Sequence, residues 1–84
     1  MNTVKFTSKA AKQLKKLQRQ DREKVFSACE SLASMPDHGN IKALTNHQYG
    51  YRLRVGNYRV LFDFYEEIKI VSIEEVKKRD ERTY

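Results

Sequence analysis

The sequence contains little of what disulfide-bonded, metal-binding or nucleotide-binding proteins need. Its 84 residues include one cysteine, one proline, three glycines and no tryptophan. The lone Cys29 excludes an intramolecular disulfide, and His38 and His47 stand nine positions apart, which is not a zinc-ligand spacing. Three glycines are too few to suggest a glycine-rich phosphate loop. We therefore expect neither a metal site nor a cofactor.

Long apolar runs are missing as well. No stretch approaches the length of a signal-sequence core or a membrane span, so we expect a cytoplasmic protein without membrane contact, whose single thiol stays reduced. The length suits one domain over residues 1–84 and is too short for two hydrophobic cores. A hydrophobic fraction of 39% beside 33% charged residues is typical of a folded globular domain.

Acidic residues are absent from two long segments. The formal net charge is +6 and the sequence pI is near 9.6. Residues 1–19 carry six lysines and arginines without an acid, and residues 41–60 carry four without an acid. Because charge blocks of one sign create a directed field, we expect one basic surface and a separate, more acidic side. A basic surface favours a polyanionic partner.

Hydrophobic periodicity predicts an α+β domain with the order β-α-α-β-β-β-β. In this fold two N-terminal helices pack on one face of a mostly antiparallel sheet. The last strand is apolar on both faces, which is typical of a central strand. Helical spacing makes Cys29 a buried small hydrophobe. The predicted helices cover residues 9–18, capped by Ser8, and 21–34, capped by Asp21; the predicted strands cover 2–6, 41–44, 51–55, 57–65 and 68–74.

The most informative segment is the predicted hairpin at residues 51–62. Alternation places Arg52 and Arg54 on one strand face and the apolar residues between them on the other. Gly56 and Asn57 form a two-residue turn for which we expect positive φ angles, and Arg59 follows directly. Since the helices cover one sheet face, the arginines belong to the other. Guanidinium forks grip pairs of phosphate oxygens, so this face indicates RNA binding, although a solvated strand face would show the same alternation.

At this point the chain resembles the RelE/ParE superfamily of toxins from bacterial type II toxin–antitoxin systems. The resemblance lies in Gly50-Tyr-Arg-Leu-Arg-Val-Gly-Asn-Tyr-Arg-Val-Leu-Phe, the later Ile-Lys-Ile-Val-Ser-Ile, and the final Lys78-Arg79 and Tyr84. It covers nearly the whole chain and implies the compact α+β fold of that superfamily. RelE-like toxins enter the ribosomal A site and cleave mRNA, whereas ParE-like toxins poison DNA gyrase. The arginine density and the tail favour the RelE-like branch, a metal-independent endoribonuclease.

The resemblance also implies roles for individual residues. Arg52 and Arg54 would face the RNA backbone, and Arg59 would stabilise the transition state. Arg79 would lie next to the scissile phosphate, and Tyr84 would transfer a proton or stack on a base. Clustered cations favour a phenolate, which makes a tyrosine among arginines a credible base.

Other basic residues complete the predicted surface. His47 is the alternative base because of its intrinsic pKa, and Lys78 and Arg82 add RNA contacts, with Arg82 also a substitute for Arg79. The lysines of the first helix would contact the ribosome or simply be solvated: Lys9, Lys12, Lys15 and Lys16.

The expected partners are the ribosome with its mRNA and a cognate antitoxin. The antitoxin would be RelB-like and would present an acidic, amphipathic segment that folds over the basic surface. Two alternatives stay open at this point. One is a ParE-like gyrase inhibitor, and the other is a non-catalytic RNA- or ribosome-binding module that uses the same basic face.

Overall fold

The computed structural model describes residues 1–34 and 40–78. The strands in this part of the chain are β1 (Thr3–Phe6), β2 (Ile41–Ala43), β3 (Tyr51–Val55), β4 (Tyr58–Tyr65) and β5 (Ile70–Lys78), and the helices are α1 (Ser8–Lys15) and α2 (Arg19–Glu30). Two short 3₁₀ turns follow α2 and β4, at Ser31–Ala33 and Glu66–Ile68. None of the described helices has the length and apolar character needed to cross a membrane.

The strands form one sheet in the order β1-β5-β4-β3-β2. The β1–β5 pair is parallel, and the other three pairs are antiparallel. The helices lie on one face, and their apolar residues join those of the strands in a single core. The predicted α+β fold is therefore confirmed, and so is the internal position of the last strand. The fully buried side chains with the largest volumes are Phe62, Leu32, Leu53, Ile73, Val25, Val60, Val71 and Cys29.

The helix boundaries differ from the predicted ones. Thr7 caps α1 instead of Ser8, because its Oγ1 accepts a hydrogen bond from the amide of Ala10 at 3.1 Å. The helix then ends at Lys15 instead of residue 18. Asp21 does not cap α2; it lies in the first turn, and its carboxylate is used elsewhere, as described below. Alternation and spacing locate a helix well, but its end depends on which neighbouring hydroxyl reaches the free amides.

The last strand is displaced toward the C-terminus. It runs over Ile70–Lys78 instead of 68–74, because Glu66–Ile68 forms a 3₁₀ turn and Lys69 takes a left-handed φ of 53°. A bulge shifts the register of β4 and β5: Leu61 pairs with Glu75 while Phe62 pairs with Ile73. The bulge returns Val76 to the core side and carries the strand on through Lys78.

Helix α1 completes the free edge of β5. Strand β1 ends at Phe6, opposite Ile73, and leaves the remaining backbone of β5 without a strand on that side. The amide of Thr7 donates to the carbonyl of Ile73 at 3.0 Å, and the amide of Val76 donates to Gln13 Oε1 at 2.7 Å. Since unpaired backbone groups are costly to bury, these contacts let β5 continue past the end of β1.

The hairpin turn has the predicted residues but a different backbone. Strands β3 and β4 are joined by Gly56 and Asn57, of which Gly56 alone has a positive φ, 55°. The expectation of positive φ at both positions was wrong for Asn57. A positive φ at the first central residue alone is the pattern of a type II′ turn, which suits the twist of a hairpin.

Cys29 predicts a specific loss of stability in alkali. Its side chain is 0% exposed, and burial raises the pKa of its thiol from 9.0 to about 12. The thiol of the unfolded chain therefore ionises first, so its contribution to stability is complete below pH 9 and falls as the pH rises toward 12. Between pH 7 and pH 10 the loss from this residue is about 1.4 kcal/mol. Urea unfolding of the parent and of Cys29→Ala at both pH values measures it; equal pH slopes for the two proteins would contradict the burial of the thiol.

Candidate nucleic-acid interface

The sheet face away from the helices carries the three arginines of the predicted hairpin, Arg52, Arg54 and Arg59. Leu53 on β3 and Val60 and Phe62 on β4 point into the core. The residues that alternate with them along each strand therefore point the opposite way. We call this side the open face. Strand alternation and register place on it Lys5, Lys42, Arg52, Arg54, Arg59, Leu61, Asp63, Ser72, Glu75 and Lys77.

Three cations stand side by side across three strands of the open face. Arg54 on β3 pairs with Arg59 on β4, and Arg59 pairs with Lys77 on β5. In the next row Lys42 pairs with Arg52. Side chains directly opposite each other lie about 5 Å apart at Cβ, and like charges in such positions destabilise a sheet. The arrangement therefore opposes stability unless an anion lies above it.

The arginines of the open face have no acidic partner among the described residues. The ion pairs within the described part of the chain are Lys9–Glu75 at 3.4 Å, Lys77–Glu75 at 3.6 Å and, on α2, Arg19–Glu23 at 3.2 Å. Glu75 thus offsets part of the charge of Lys77, whereas no carboxylate of residues 1–34 or 40–78 forms an ion pair with Arg52, Arg54 or Arg59. These three guanidinium groups are available for phosphate oxygens.

A small depression lies among the arginines. It measures about 30 Å³ and is lined by Arg52, Arg54, Tyr58 and Arg59, so it has room for one or two oxygen-sized atoms. Arg52 Nε is buried without a hydrogen-bond partner among the described residues, and the cross-strand neighbour of Arg52, Leu61, is only 4% exposed. A buried, unpaired guanidinium N–H is an incentive to bind an anion.

A second cleft lies on the other side of the same hairpin end. Its volume is about 190 Å³, and its walls include α2, the Gly56–Asn57 turn and Lys78. At its edge the hydroxyl of Tyr58 donates a hydrogen bond to Asp21 Oδ2 at 2.8 Å. This bond, followed by desolvation and the carboxylate charge, raises the pKa of Tyr58, so the phenol stays neutral. Sequence reasoning missed the pair because it treated Asp21 as a helix cap.

Two predicted site residues lie away from the arginines. Lys78 pairs with Tyr58, so alternation places it on the helix side, where it lines the larger cleft. His47 lies in the loop between β2 and β3, where its Nδ1 accepts from the amide of Tyr49 at 3.1 Å. Within the described residues it forms no hydrogen bond with Arg52, Arg54 or Arg59. That loop closes at Gly50, four residues and about 13 Å along the strand from Arg54.

The α1 lysines and the tail complete the predicted set. Lys12 and Lys15 are exposed on α1, Lys16 is exposed at its C-cap, and Lys9 reaches Glu75 at the rim of the open face. Arg79, Arg82 and Tyr84 lie outside the described residues, as does His38. Within residues 1–34 and 40–78, no cluster of His, Cys, Asp or Glu side chains could hold a metal ion.

Lys77 was not among the predicted site residues, although it belongs to the row of three cations. Alternation from the buried Val76 would have assigned it to the open face. The predicted strand ended at residue 74, before this signal could be used.

Replacing Arg54 by threonine should stabilise the isolated protein. The change removes one of two arginines that face each other, so we expect the free energy of unfolding to rise by about 0.2–1 kcal/mol at low salt. The gain should shrink in 1 M salt, where charges are screened. Lys5→Thr is the matched control, because Lys5 also lies on the open face but pairs with Ser72. Equal effects of both substitutions in urea unfolding would show that Arg54 and Arg59 do not repel each other.

Comparisons with known proteins agree on the kind of fold. The chain aligns with a chain of the toxin–antitoxin complex RelBE2 from Mycobacterium tuberculosis at 28% identity and a TM-score of 0.80, covering 93% of this chain and 98% of that one. For the archaeal RelE–RelB complex from Pyrococcus horikoshii the identity is 22%, the TM-score 0.80, and the coverage 95% and 97%. For the isolated E. coli RelE toxin the values are 19%, 0.81, 99% and 89%.

Sequence comparison assigns the family. Among curated proteins none matches significantly. The family model described as the ParE toxin of the type II toxin–antitoxin system parDE matches residues 4–83, almost the entire chain. Together with the RelE-like fold, this match confirms the predicted superfamily. The chain therefore belongs to the ParE toxin family, and is a type II toxin of the RelE/ParE superfamily.

Proposed function

We propose that this toxin is an endoribonuclease that cleaves mRNA in the ribosomal A site and thereby inhibits translation. The observation that carries the proposal is the row of cations on the open face, with Arg54 opposite Arg59 and Arg52 beside them. Their charges are not neutralised within the described residues. Adjacent like charges lower the stability of the sheet, and a bound phosphate backbone would offset that loss. RNA binding therefore accounts for this arrangement of arginines.

The proposed reaction needs no metal. The 2′-oxygen of a ribose attacks the adjacent phosphorus, the bond from phosphorus to the 5′-oxygen breaks, and a 2′,3′-cyclic phosphate and a 5′-hydroxyl form. A base takes the proton of the 2′-hydroxyl, and an acid supplies a proton to the 5′-oxygen. Cations stabilise the charge that grows on the phosphoryl oxygens, and preorganised donors in a partly dry site contribute several kcal/mol to such steps.

The arginines suit the charge term of this reaction. Arg52 and Arg54 would hold the RNA backbone, and Arg59, between Arg54 and Lys77, would stabilise the transition state. Arginine stays protonated at any working pH, so a different residue must act as base. Tyr58 is unsuited to that role because its hydroxyl donates to Asp21.

The tail residues complete the proposal on the strength of the family resemblance. Tyr84 would be the base, and Arg79 would stabilise charge at the leaving oxygen. His47 is the alternative base, and Arg82 and Lys78 would add contacts to the RNA.

Ribosome dependence follows from the weakness of the proposed base. Without a strong base, the RNA must be held in a reactive geometry, and such positioning can supply a large share of the rate. The exposed lysines of α1 and of its C-cap offer contacts to ribosomal RNA: Lys9, Lys12, Lys15 and Lys16.

A cognate antitoxin is the proposed partner in the cell. The similar structures from M. tuberculosis and P. horikoshii are described as toxin–antitoxin complexes. An acidic, RelB-like segment would complement the uncompensated arginines of the open face and so block RNA. Salt should weaken such a complex.

Inhibition of DNA gyrase is the second candidate, because the matching family model is that of ParE toxins. A gyrase inhibitor acts by binding a protein and has no need of three arginines arranged around a pocket for an anion. A supercoiling assay with purified gyrase separates the two candidates.

Substitution of Arg59 by alanine should abolish most cleavage. We expect cleavage to slow by about 100-fold or more, since one donor to the transition-state charge is lost. Primer extension on a defined mRNA, with and without translating ribosomes, maps the new 3′ ends. Arg19→Ala is the control, because it removes an exposed arginine of α2 that pairs with Glu23.

Several outcomes of that experiment would oppose the proposal. Intact mRNA under both conditions, with loss of gyrase supercoiling, would favour the second candidate. Binding to ribosomes without cleavage would indicate a non-catalytic module. Equal losses for Arg19→Ala and Arg59→Ala would show that general charge matters and the open face does not.

The base is tested by Tyr84→Phe. If Tyr84 accepts the proton, the variant should cleave at least about 10-fold more slowly and bind ribosomes as before. His47→Ala, measured in parallel, tests the alternative. Parent-like cleavage by Tyr84→Phe combined with loss in His47→Ala would transfer the role to His47.

A further inference from the structure

The hairpin end, residues 54–59, is destabilised by repulsion between like charges. Arg54 and Arg59 repel each other across it, and Lys77 adds a third cation beside Arg59. The last two pairs of the β3–β4 ladder before the turn are Arg54–Arg59 and Val55–Tyr58. The repulsion acts at the end of the ladder, where one further strand pair remains before the turn. The positions of the arginines therefore depend on the other contacts that hold the hairpin end in place.

A cleft of about 190 Å³ lies between the hairpin end and α2. Val25 and Lys24 line it on the helix side, and Val55 and Lys78 line it on the sheet side. Among the described residues, the Tyr58–Asp21 hydrogen bond is the one hydrogen bond or ion pair that joins α2 to the hairpin. It links positions 37 residues apart in the sequence and is 2.8 Å long.

We propose that the Tyr58–Asp21 hydrogen bond positions Arg59 for catalysis by fixing the hairpin end against α2. The proposal rests on the endoribonuclease function stated above. Successive side chains of a strand leave on opposite faces, so anchoring the Tyr58 phenol on the helix side fixes the direction in which Arg59 leaves on the other. Tyr58 directly precedes Arg59 in β4 and also lines the small depression together with Arg52, Arg54 and Arg59, while its phenol bonds to Asp21 on the helix side.

Asp21 and Tyr58 bond to each other and not to the lysines nearby. Asp21 forms no ion pair with Lys24 or Lys78, although both line the same cleft. The phenol is a donor in this bond and faces the helix side, away from the RNA surface. Tyr58 and Asp21 are therefore positioning residues, and neither touches the reacting atoms.

The first test separates binding from turnover. Cleavage on programmed ribosomes is measured for Tyr58→Phe, Asp21→Ala and the double variant. Each should lower kcat about 10-fold or more and leave KM within about twofold, because a small misplacement of a catalytic group slows reaction more than it weakens binding. The double variant should lose no more than either single variant, since one bond is removed in each case. Asp21→Asn should restore most of the rate, because its amide oxygen still accepts from Tyr58.

Thr7→Ala controls for general destabilisation. It removes the hydroxyl that caps α1 and that donates to the carbonyl of Glu74 at 3.4 Å, but it keeps the Thr7 amide that donates to Ile73. The position is far from the hairpin end in the chain, so the urea midpoint should fall while kcat stays at the parent value. Multiplying losses in the double variant, or parent-like kcat in Tyr58→Phe, would overturn the proposal. A loss of kcat in Thr7→Ala as large as that in Tyr58→Phe would do the same.

A readout without cleavage keeps this proposal distinct from the proposed function. Amide hydrogen exchange in β3 and β4 should be faster at residues 54–59 in Tyr58→Phe than in the parent, and unchanged there in Thr7→Ala. If the parent cleaves no mRNA, the proposed function fails, while the exchange result still decides whether the bond holds the hairpin end. Unchanged exchange in Tyr58→Phe overturns the proposal whatever the cleavage result.

Discussion

The register of the β3–β4 hairpin is the constraint on which the rest of this structure depends. It places Arg54 directly opposite Arg59, and the β4–β5 register continues the row to Lys77. A shift by one residue would send the arginines into the core and Leu53 and Val60 to solvent. Burial of those apolar residues on the helix side therefore forces the guanidinium groups together on the open face, despite their repulsion.

Packing on the helix side of the sheet offsets the stability that this repulsion removes. Both helices pack on the same face and form one core with Phe62 and Ile73, so the open face needs no packing partner of its own. The start of α1 also pairs with the free edge of β5 through the backbone amide of Thr7 and the side chain of Gln13. That pairing carries β5 as far as Lys77 and so completes the row of cations. Stability and the proposed RNA site thus occupy opposite faces of one sheet.

Local signals made the hairpin predictable, and tertiary contacts account for what was not. Alternation around Arg52 and Arg54, with Gly56 after them, is a short-range pattern and was confirmed. The bulge that brings Lys77 into the row depends on pairing with β4, which no local pattern reveals. The Tyr58–Asp21 bond joins residues 37 positions apart in the sequence, so no local pattern indicates it. The roles of Arg79 and Tyr84 rest on family resemblance alone, since both lie outside the described residues.

Binding of RNA to the open face can be observed by NMR of the arginine side-chain Nε–H groups during titration with a short, uncleavable 2′-O-methyl RNA. If the open face binds RNA, the signals of Arg52, Arg54 and Arg59 shift together with one affinity, while those of Arg19 and Arg22 on α2 stay in place. Shifts confined to Arg19 and Arg22 would place the RNA on the helix side and show that the open face does not bind it.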